Sequence, residues 1–323
     1  MKTFSELKAL FDHQLSNKQF PDDPKNLYDP IRYVLEIGGK RIRPTLMLMS
    51  HQLFSEDIER SFDLAISIEI FHNFTLLHDD IMDNSSLRRG LPTVHEKWTQ
   101  SSAILSGDAM LIYCYTIINN SDVKPFKEIL NVFNQASIKI CEGQQLDLDF
   151  AASQIIQVED YLRMIEYKTA VLLAASLKIG ALNAGASQVE SDHMYNFGIN
   201  LGIAFQLKDD LLDVYGDSLK FGKELGGDII SNKKTYLFLK SIQDSNFKQR
   251  EILNKCYSNH SNQSNKEKIK IVKEIFEELN IYEKTTSLII DYNNLALDHL
   301  SSIQSSYKEP FLELTKSLLK REN

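Results

Sequence analysis

Residues 64–83 read LAISIEIFHNFTLLHDDIMD, a long apolar run of helical periodicity that ends in three carboxylates, Asp79, Asp80 and Asp83. In a helix, residues four apart lie on one face, so Asp79 and Asp83 stack. Like charges at that spacing repel unless something positive sits between them. The pattern recurs far downstream as Asp209-Asp210-Leu211-Leu212-Asp213, again edged by hydrophobic residues and again near the end of a helical stretch. One such cluster reads as readily as a solvated helix end. Two of identical spacing point to divalent cations held between two facing helices, with a polyanion bridging the ions. All-oxygen donors select hard cations, and Mg²⁺ is the natural one when substrate phosphates complete its coordination.

Around this segment, nearly the whole chain carries helical periodicity. Leu7, Leu10, Phe11 and Leu15 form an N-terminal stripe that Pro21 and Pro24 interrupt, and Ile31, Val34 and Leu35 follow before Gly38-Gly39. Pro44 fits the first turn of the next helix, where a missing N–H is tolerated. Helices are expected over Ala103–Ile118, Phe126–Glu142, Val158–Leu182 and His193–Val214, with a polar loop from Asn84 to Pro92 and an exposed loop from Ser258 to Lys268. The stretch Gly216–Asn232, rich in glycine and charge, suits a lid or a phosphate-contacting loop. Seven prolines and thirteen glycines in 323 residues favour long helices over turn-rich sheet. The expectation is an all-α, single-domain helical bundle over residues 1–323.

A net charge of −8 argues against a nucleic-acid binder. Cys114, Cys141 and Cys256 are too widely spaced for a zinc site or a disulfide framework, and they fit a reducing compartment. The start, Met1 to Glu6, turns polar too early for a signal peptide. The longest apolar candidate, Thr169 to Ala186, carries Lys178 and reads as a buried helix. The expected location is cytoplasmic, with no stable membrane insertion.

A carboxylate–metal site for phosphate also needs cations. They are available as Lys40, Arg41 and Arg43 after Gly38-Gly39, as Arg88-Arg89, as Lys168, and as Lys223, Lys233 and Lys234 around the glycine-rich stretch. Arginine offers phosphate a rigid bidentate fork and lysine a mobile point charge. A P-loop is disfavoured, since G-x-x-x-x-G-K-[ST] is absent.

Taken in order, these landmarks resemble the trans-isoprenyl diphosphate synthase (polyprenyl synthetase) family. They are Gly38-Gly39-Lys40-Arg41-Ile42-Arg43-Pro44, Leu77-His78-Asp79-Asp80-Ile81-Met82-Asp83 with Arg88-Arg89-Gly90, Gly107-Asp108, Gly143-Gln144 with Asp147, Lys168-Thr169-Ala170, and Phe205-Gln206-Leu207-Lys208-Asp209-Asp210-Leu211-Leu212-Asp213. The resemblance implies a bundle of the isoprenoid-synthase type with a central active-site cavity. It implies head-to-tail condensation of isopentenyl diphosphate with an allylic diphosphate. Asp79, Asp83 and Asp209 would hold Mg²⁺, three ions per active site with substrate bound, and Asp80, Asp210 and Asp213 would complete the contacts. Arg88, Lys168, Lys223 and Lys233 would grip the allylic diphosphate. Lys40, Arg43, His72 and Arg89 would hold isopentenyl diphosphate in a metal-free basic pocket. Thr169 and Gln206 would line the reaction centre, and the departing diphosphate would accept the proton. Gly222 to Gly227 would close over the site against water. Family precedent implies a homodimer. Two departures stand out: Asn232 occupies a position where the family often has glycine, which bears on lid flexibility, and the first motif has the short spacing, unlike many bacterial farnesyl diphosphate synthases.

The resemblance implies that the growing chain runs down an apolar tunnel beginning below the first motif. On a helix ending at Asp79, the side chains of Phe74, Phe71 and Ile68 descend as a ladder. Phe74, with the small Thr75 beside it, would floor the tunnel, and Phe71 would be a deeper stop. In the family, such a pattern goes with geranylgeranyl diphosphate (C20) more than with very long chains; farnesyl diphosphate and longer polyprenyl diphosphates are the alternatives. A class I terpene cyclase should carry an Asn/Ser/Glu metal motif and has no need of a Lys40/Arg43/Arg89 pocket. A non-catalytic partner subunit should have lost an aspartate or a basic anchor. Both fit less well.

Overall fold

A computed structural model describes residues 2–153, 155–216, 225–258 and 264–320. The regular structure of the described residues is helical apart from one two-stranded hairpin, and they form two compact units. The first unit is Met1–Gln135 with Ala175–Tyr195 and Gln304–Pro310. It holds α1 (Phe4–Ser16), α2 (Lys25–Glu36), α3 (Ile42–Gln52), α4 (Phe62–Met82), α5 (Val94–Lys97), α6 (Gln100–Asn120) and the start of α7 (Phe126–Ala152). Propensity does not explain α4, because Ile66, Ile68 and Ile70 are β-branched and weak helix formers. Burial does: Leu64, Ala65, Ile68, Ile70, Phe71 and Leu77 are all enclosed, and α4 packs on α3 and lengthwise on α6. Its polar interruptions are satisfied within the unit, Ser67 Oγ donating to Cys114 O (3.1 Å) and Asn73 Nδ2 to Glu69 O (2.8 Å). The helix stops where Asn84 turns left-handed, at φ 51°. As expected, Pro44 lies in the first turn of α3, which starts after a left-handed Arg41.

Two expectations for this unit need correction. Within the stretch read as a polar loop, Leu87–Arg88 (β1) and Leu91–Pro92 (β2) pair antiparallel, with Leu87 opposite Pro92. Arg89 (φ 53°) and Gly90 (φ 78°) are both left-handed, which is what a two-residue hairpin turn of this hand requires. Tyr33 OH donates to Pro92 O (2.7 Å), and Trp98 meets the Tyr33 ring edge-on at 5.2 Å, so the hairpin is tied to α2. Among the described residues, the helix long and apolar enough to cross a membrane is α6, not the Thr169–Ala186 run. Its Ala103, Met110, Cys114 and Ile117 are buried.

The second unit is Ala136–Ala174 with Asn196–Ile303 and Phe311–Asn323, so the unit boundaries fall inside α7, α9 (Val171–Asn183) and α10 (Gln188–Tyr215). It also holds α8 (Val158–Ile165), α11 (Gly227–Ile230), α12 (Tyr236–Asp244), α13 (Phe247–Cys256), α14 (Asn265–Glu278), α15 (Ile281–Ser301) and α16 (Glu309–Lys320). Phe197 and Phe311, both fully buried, meet edge-to-face at 5.5 Å in its core. The helix expected over Val158–Leu182 is interrupted by a π-turn at Glu166–Ala170. Gly143 packs against this turn: an added Cβ would lie 2.4 Å from Lys168 N, so the α7 backbone comes directly against it. Asn265 to Lys268 are helical, not loop; Ser264 Oγ caps α14 by accepting from Glu267 N (3.3 Å). Cys114 and Cys256 are buried, Cys141 is exposed, and all three are free thiols.

Candidate active site

In the first unit, the C-terminal turn of α4 delivers Asp79, Asp80 and Asp83. Adjacent residues on a helix point about 100° apart, so these carboxylates cannot share one environment. Asp80 is 4% exposed and turned inward, where Arg88 of β1 clasps both its oxygens through Nε (2.9 and 2.8 Å) and Nη2 (2.7 Å). Arg88 reaches Asp79 only at 4.0 Å. Burial pulls the Arg88 guanidinium down, but the Asp80 bonds outweigh it and raise the net value. Asp79 is half-buried and Asp83 exposed, so they are the accessible pair.

Beside this cluster the unit gathers cations. Arg43 Nη1 donates to His72 Nε2 (3.1 Å), while Arg43 Nε is enclosed and has no hydrogen-bond partner. Burial brings Arg43 down to about 10, with only Glu69 opposing it. Burial and the neighbouring Arg43 and Arg89 hold His72 well below its ordinary value, so its ring is neutral. Arg89 is also lowered, again chiefly by burial. An added Cβ on Gly39 would come within 2.9 Å of Arg89 Nη1, so the glycine makes room for that guanidinium. Arg41 plays a different part: it is buried, donating to Glu69 Oε1 (2.5 Å) and Leu35 O (2.6 Å), and it anchors the segment that presents the exposed Lys40. The arrangement is short of negative charge, which is the electrostatic signature of an anion site.

The second unit builds a matching cluster on α10. Asp210 is the inward carboxylate here, 2% exposed, accepting from Tyr161 OH and from Gln206 Nε2 (3.0 Å). Burial, with Asp228 assisting, pushes Asp210 up to about 7 against the pull of Lys233 and those two hydrogen bonds. Asp209 and Asp213 are half-buried, and Asp213 Oδ2 accepts from Asp228 N (2.9 Å). Thr169 Oγ1 donates to Gln206 Oε1 (3.2 Å), so one line of bonds runs from Thr169 through Gln206 to Asp210. Lys168, in the π-turn, pairs with Asp147 at 2.6 Å. π-Turns commonly mark functional positions, and this one carries the Lys-Thr pair. Lys233 follows α11 and is exposed. Lys223 and the Gly222–Glu224 part of the lid reading lie outside the described residues.

Along α4, the ladder below Asp79 is aromatic and continuous. The His78 and Phe74 rings are 4.8 Å apart, Phe74 and Phe71 5.5 Å, Phe71 and Phe133 5.1 Å. Phe71 is 1% exposed and locked among its neighbours, whereas Phe74 and Thr75 are half-buried.

Tyr161 and Asp228 escaped the sequence reading, and neither carries a local signal: each matters only through what tertiary packing brings to Asp210 and Asp213. Asp147 was visible as a landmark but not as the partner of Lys168. Among the described residues, no three His, Cys, Asp or Glu side chains are gathered as a metal cage. Mg²⁺ ordinarily takes one or two carboxylates and fills the rest with water and phosphate oxygens, so the accessible Asp79, Asp83 and Asp209 suit it by donor type.

Comparison with known proteins agrees with this chemistry. Residues 24–277 match the sequence profile of the family described as polyprenyl synthetase. A short chain isoprenyl diphosphate synthase of Methanothermobacter thermautotrophicus is 35% identical over 302 residues, 93% of this chain and 92% of its own. A geranylgeranyl diphosphate synthase of Sulfolobus acidocaldarius is 36% identical over 293 residues, covering 90% and 88%. A crystal structure of a geranylgeranyl pyrophosphate synthase aligns at a TM-score of 0.94 and 41% identity over 100% of both chains, which fixes the fold as an all-α bundle of the isoprenoid-synthase type.

Proposed function

We propose that this chain, which belongs to the polyprenyl synthetase family, is a magnesium-dependent trans-prenyltransferase that joins isopentenyl diphosphate to allylic diphosphates and makes geranylgeranyl diphosphate (C20). The observation that carries the site reading is the shared build of the two aspartate clusters. Each has one carboxylate locked inward, Asp80 by Arg88 and Asp210 by Tyr161 and Gln206, and leaves its neighbours accessible. Mg²⁺ held by Asp79, Asp83 and Asp209 would supply Lewis-acid stabilisation to the diphosphate as it leaves. Arg88, Lys168 and Lys233, with Lys223, take up the rest of its charge. The second diphosphate stays attached throughout, so it needs anchoring alone; the pocket of Lys40, Arg43, His72 and Arg89 does that without metal. Thr169 and Gln206 face the allylic cation with oxygens too weakly nucleophilic to trap it. The terminal alkene of isopentenyl diphosphate attacks, the carbon–carbon bond forms, and the proton leaves to the departing diphosphate. The single-domain reading over residues 1–323, a homodimeric state and a cytoplasmic location belong to the same proposal, the last supported by the free thiols.

Purified protein incubated with Mg²⁺, isopentenyl diphosphate and each of the C5, C10 and C15 allylic diphosphates should give C20 as the dominant product by mass spectrometry. A dominant C15 or C25 product would keep the chemistry and move the floor; no elongation with any primer would overturn the reading. Because Phe74 is half-buried above the locked Phe71, Phe74→Ala should lengthen the product until Phe71 stops it. An unchanged product distribution removes Phe74 from that role.

A further inference from the structure

Lys268 is a buried cation that the site described above does not use. It lies on α14 at 6% exposure, with Nζ donating to Asn232 Oδ1 (2.5 Å) and Ile230 O (3.3 Å), and 5.3 Å from the Tyr257 ring centroid. Among the described residues no carboxylate pairs with it, and burial holds it below the usual lysine range. An ammonium in such a place is costly unless its few partners are well made.

Those partners belong to one turn. At the end of α11, Asn232 N donates to Ile229 O (3.2 Å), Lys233 N donates to Asp228 O (2.9 Å), and Asn232 itself is left-handed at φ 60°. This is the Schellman way of ending a helix, with Asn232 in the left-handed position and Lys233 the next residue. Glycine would satisfy the backbone there, but only asparagine adds an acceptor for Lys268. The ammonium also sits on a terminal helix carbonyl, where positive charge is favoured. At its other end α11 is fastened to the second aspartate cluster, Asp228 N donating to the Asp213 carboxylate (2.9 Å) and Gly226 N to Asp213 O (2.7 Å). The backbone leading to Lys233 is therefore held on both sides.

We propose that Lys268 and Asn232 are positioning residues for Lys233: their bond fixes the turn from which Lys233 reaches the allylic diphosphate. This rests on the proposed role of Lys233.

The test compares wild type with Asn232→Gly, Lys268→Met and the double variant, after wild type has been shown to elongate with Mg²⁺. Each single variant should raise KM for the allylic diphosphate about fivefold, the loss of roughly one hydrogen bond, with kcat and KM for isopentenyl diphosphate little changed. The double variant should be no worse than the worse single, since both cut one bond. Hydrogen exchange in the peptide spanning 225–235 should speed up while that of α14 stays protected. Unchanged allylic KM, additive effects, or a parallel rise in both KM values with a lower Tm would overturn the proposal. Should Lys268→Met fail to fold, Asn232→Gly decides alone, because glycine fits that backbone without strain. An inactive wild type would instead refute the prenyl-transfer reading, and exchange at the turn would still report whether the strut exists.

Discussion

Neighbouring aspartates in this protein do different work, and substitution should separate them. Asp79 is half-buried where Asp80 is enclosed, so Asp79→Ala should leave the fold intact and cut Mg²⁺-dependent turnover at least about a hundredfold. Near-normal activity would end its assignment as a metal ligand. Asp80→Asn should add a loss of stability that Asp79→Ala lacks: it strands Arg88 without its charge-assisted bonds and should lower stability by about 2 kcal/mol in chemical denaturation. A variant as stable as wild type would mean that the Arg88–Asp80 clasp contributes nothing net. The sequence made both carboxylates conspicuous, since paired acidic clusters beside apolar runs demand a reason. It did not reveal which of each pair turns inward. That choice depends on Arg88 and Tyr161, which reach Asp80 and Asp210 from other elements, and no spacing rule connects them.

At the scale of elements, the long periodic helices were legible and the irregular pieces were not. The pattern from Leu64 to Met82 is nearly the observed α4, because a helix buried over most of its length shows itself as a long, largely apolar run. The π-turn at Glu166–Ala170 has no proline or glycine of its own to announce it; the glycine that meets it, Gly143, lies on another helix. Gly143→Ala should therefore act at a distance. The added methyl meets Lys168 N at 2.4 Å, so α7 or the turn must yield, costing about 1–3 kcal/mol and displacing Lys168 and Thr169. The expected result is a lower Tm together with a raised KM for the allylic diphosphate; wild-type values of both would show that the turn does not depend on that contact. The hairpin at Leu87–Pro92 had a readable signal in Arg89-Gly90, but strands of two residues carry no alternation to support it.

For the whole molecule, fold class followed from composition and periodicity, whereas association is a matter of surface. On α6, Leu105 (59% exposed) and Ile112 (66%) lie two turns apart on one face, with Ile104 and Tyr115 nearby, an apolar stripe unusual for a lone chain. The proposed homodimer places a second copy there. Leu105→Asp with Ile112→Asp should yield a monomer in sedimentation equilibrium, and a monomeric wild type would refute the homodimer. One contribution to stability should be lost in mild acid. His51 is buried, with Nδ1 on Ser61 Oγ (2.7 Å) and Nε2 unpartnered, and burial, then Arg60, lowers it from the ordinary 6.5. Below that pH the unfolded chain takes up a proton that the folded one refuses, so stability is full above about 6.5 and declines as pH drops toward the folded value. The urea midpoint of His51→Gln should rise relative to wild type from pH 7 to 5.5, while the Asp210 carboxyl, raised in both proteins, shifts the two alike; equal slopes would absolve His51. The hairpin that carries Arg88 and Arg89 has one more consequence. Trp98, the one tryptophan in the chain, touches Tyr33, and Tyr33 holds Pro92 of that hairpin. The protein thus contains its own fluorophore one side chain away from the hairpin that carries Arg88 and Arg89, and its ultraviolet emission should serve as a label-free optical titration of diphosphate binding at the proposed pocket.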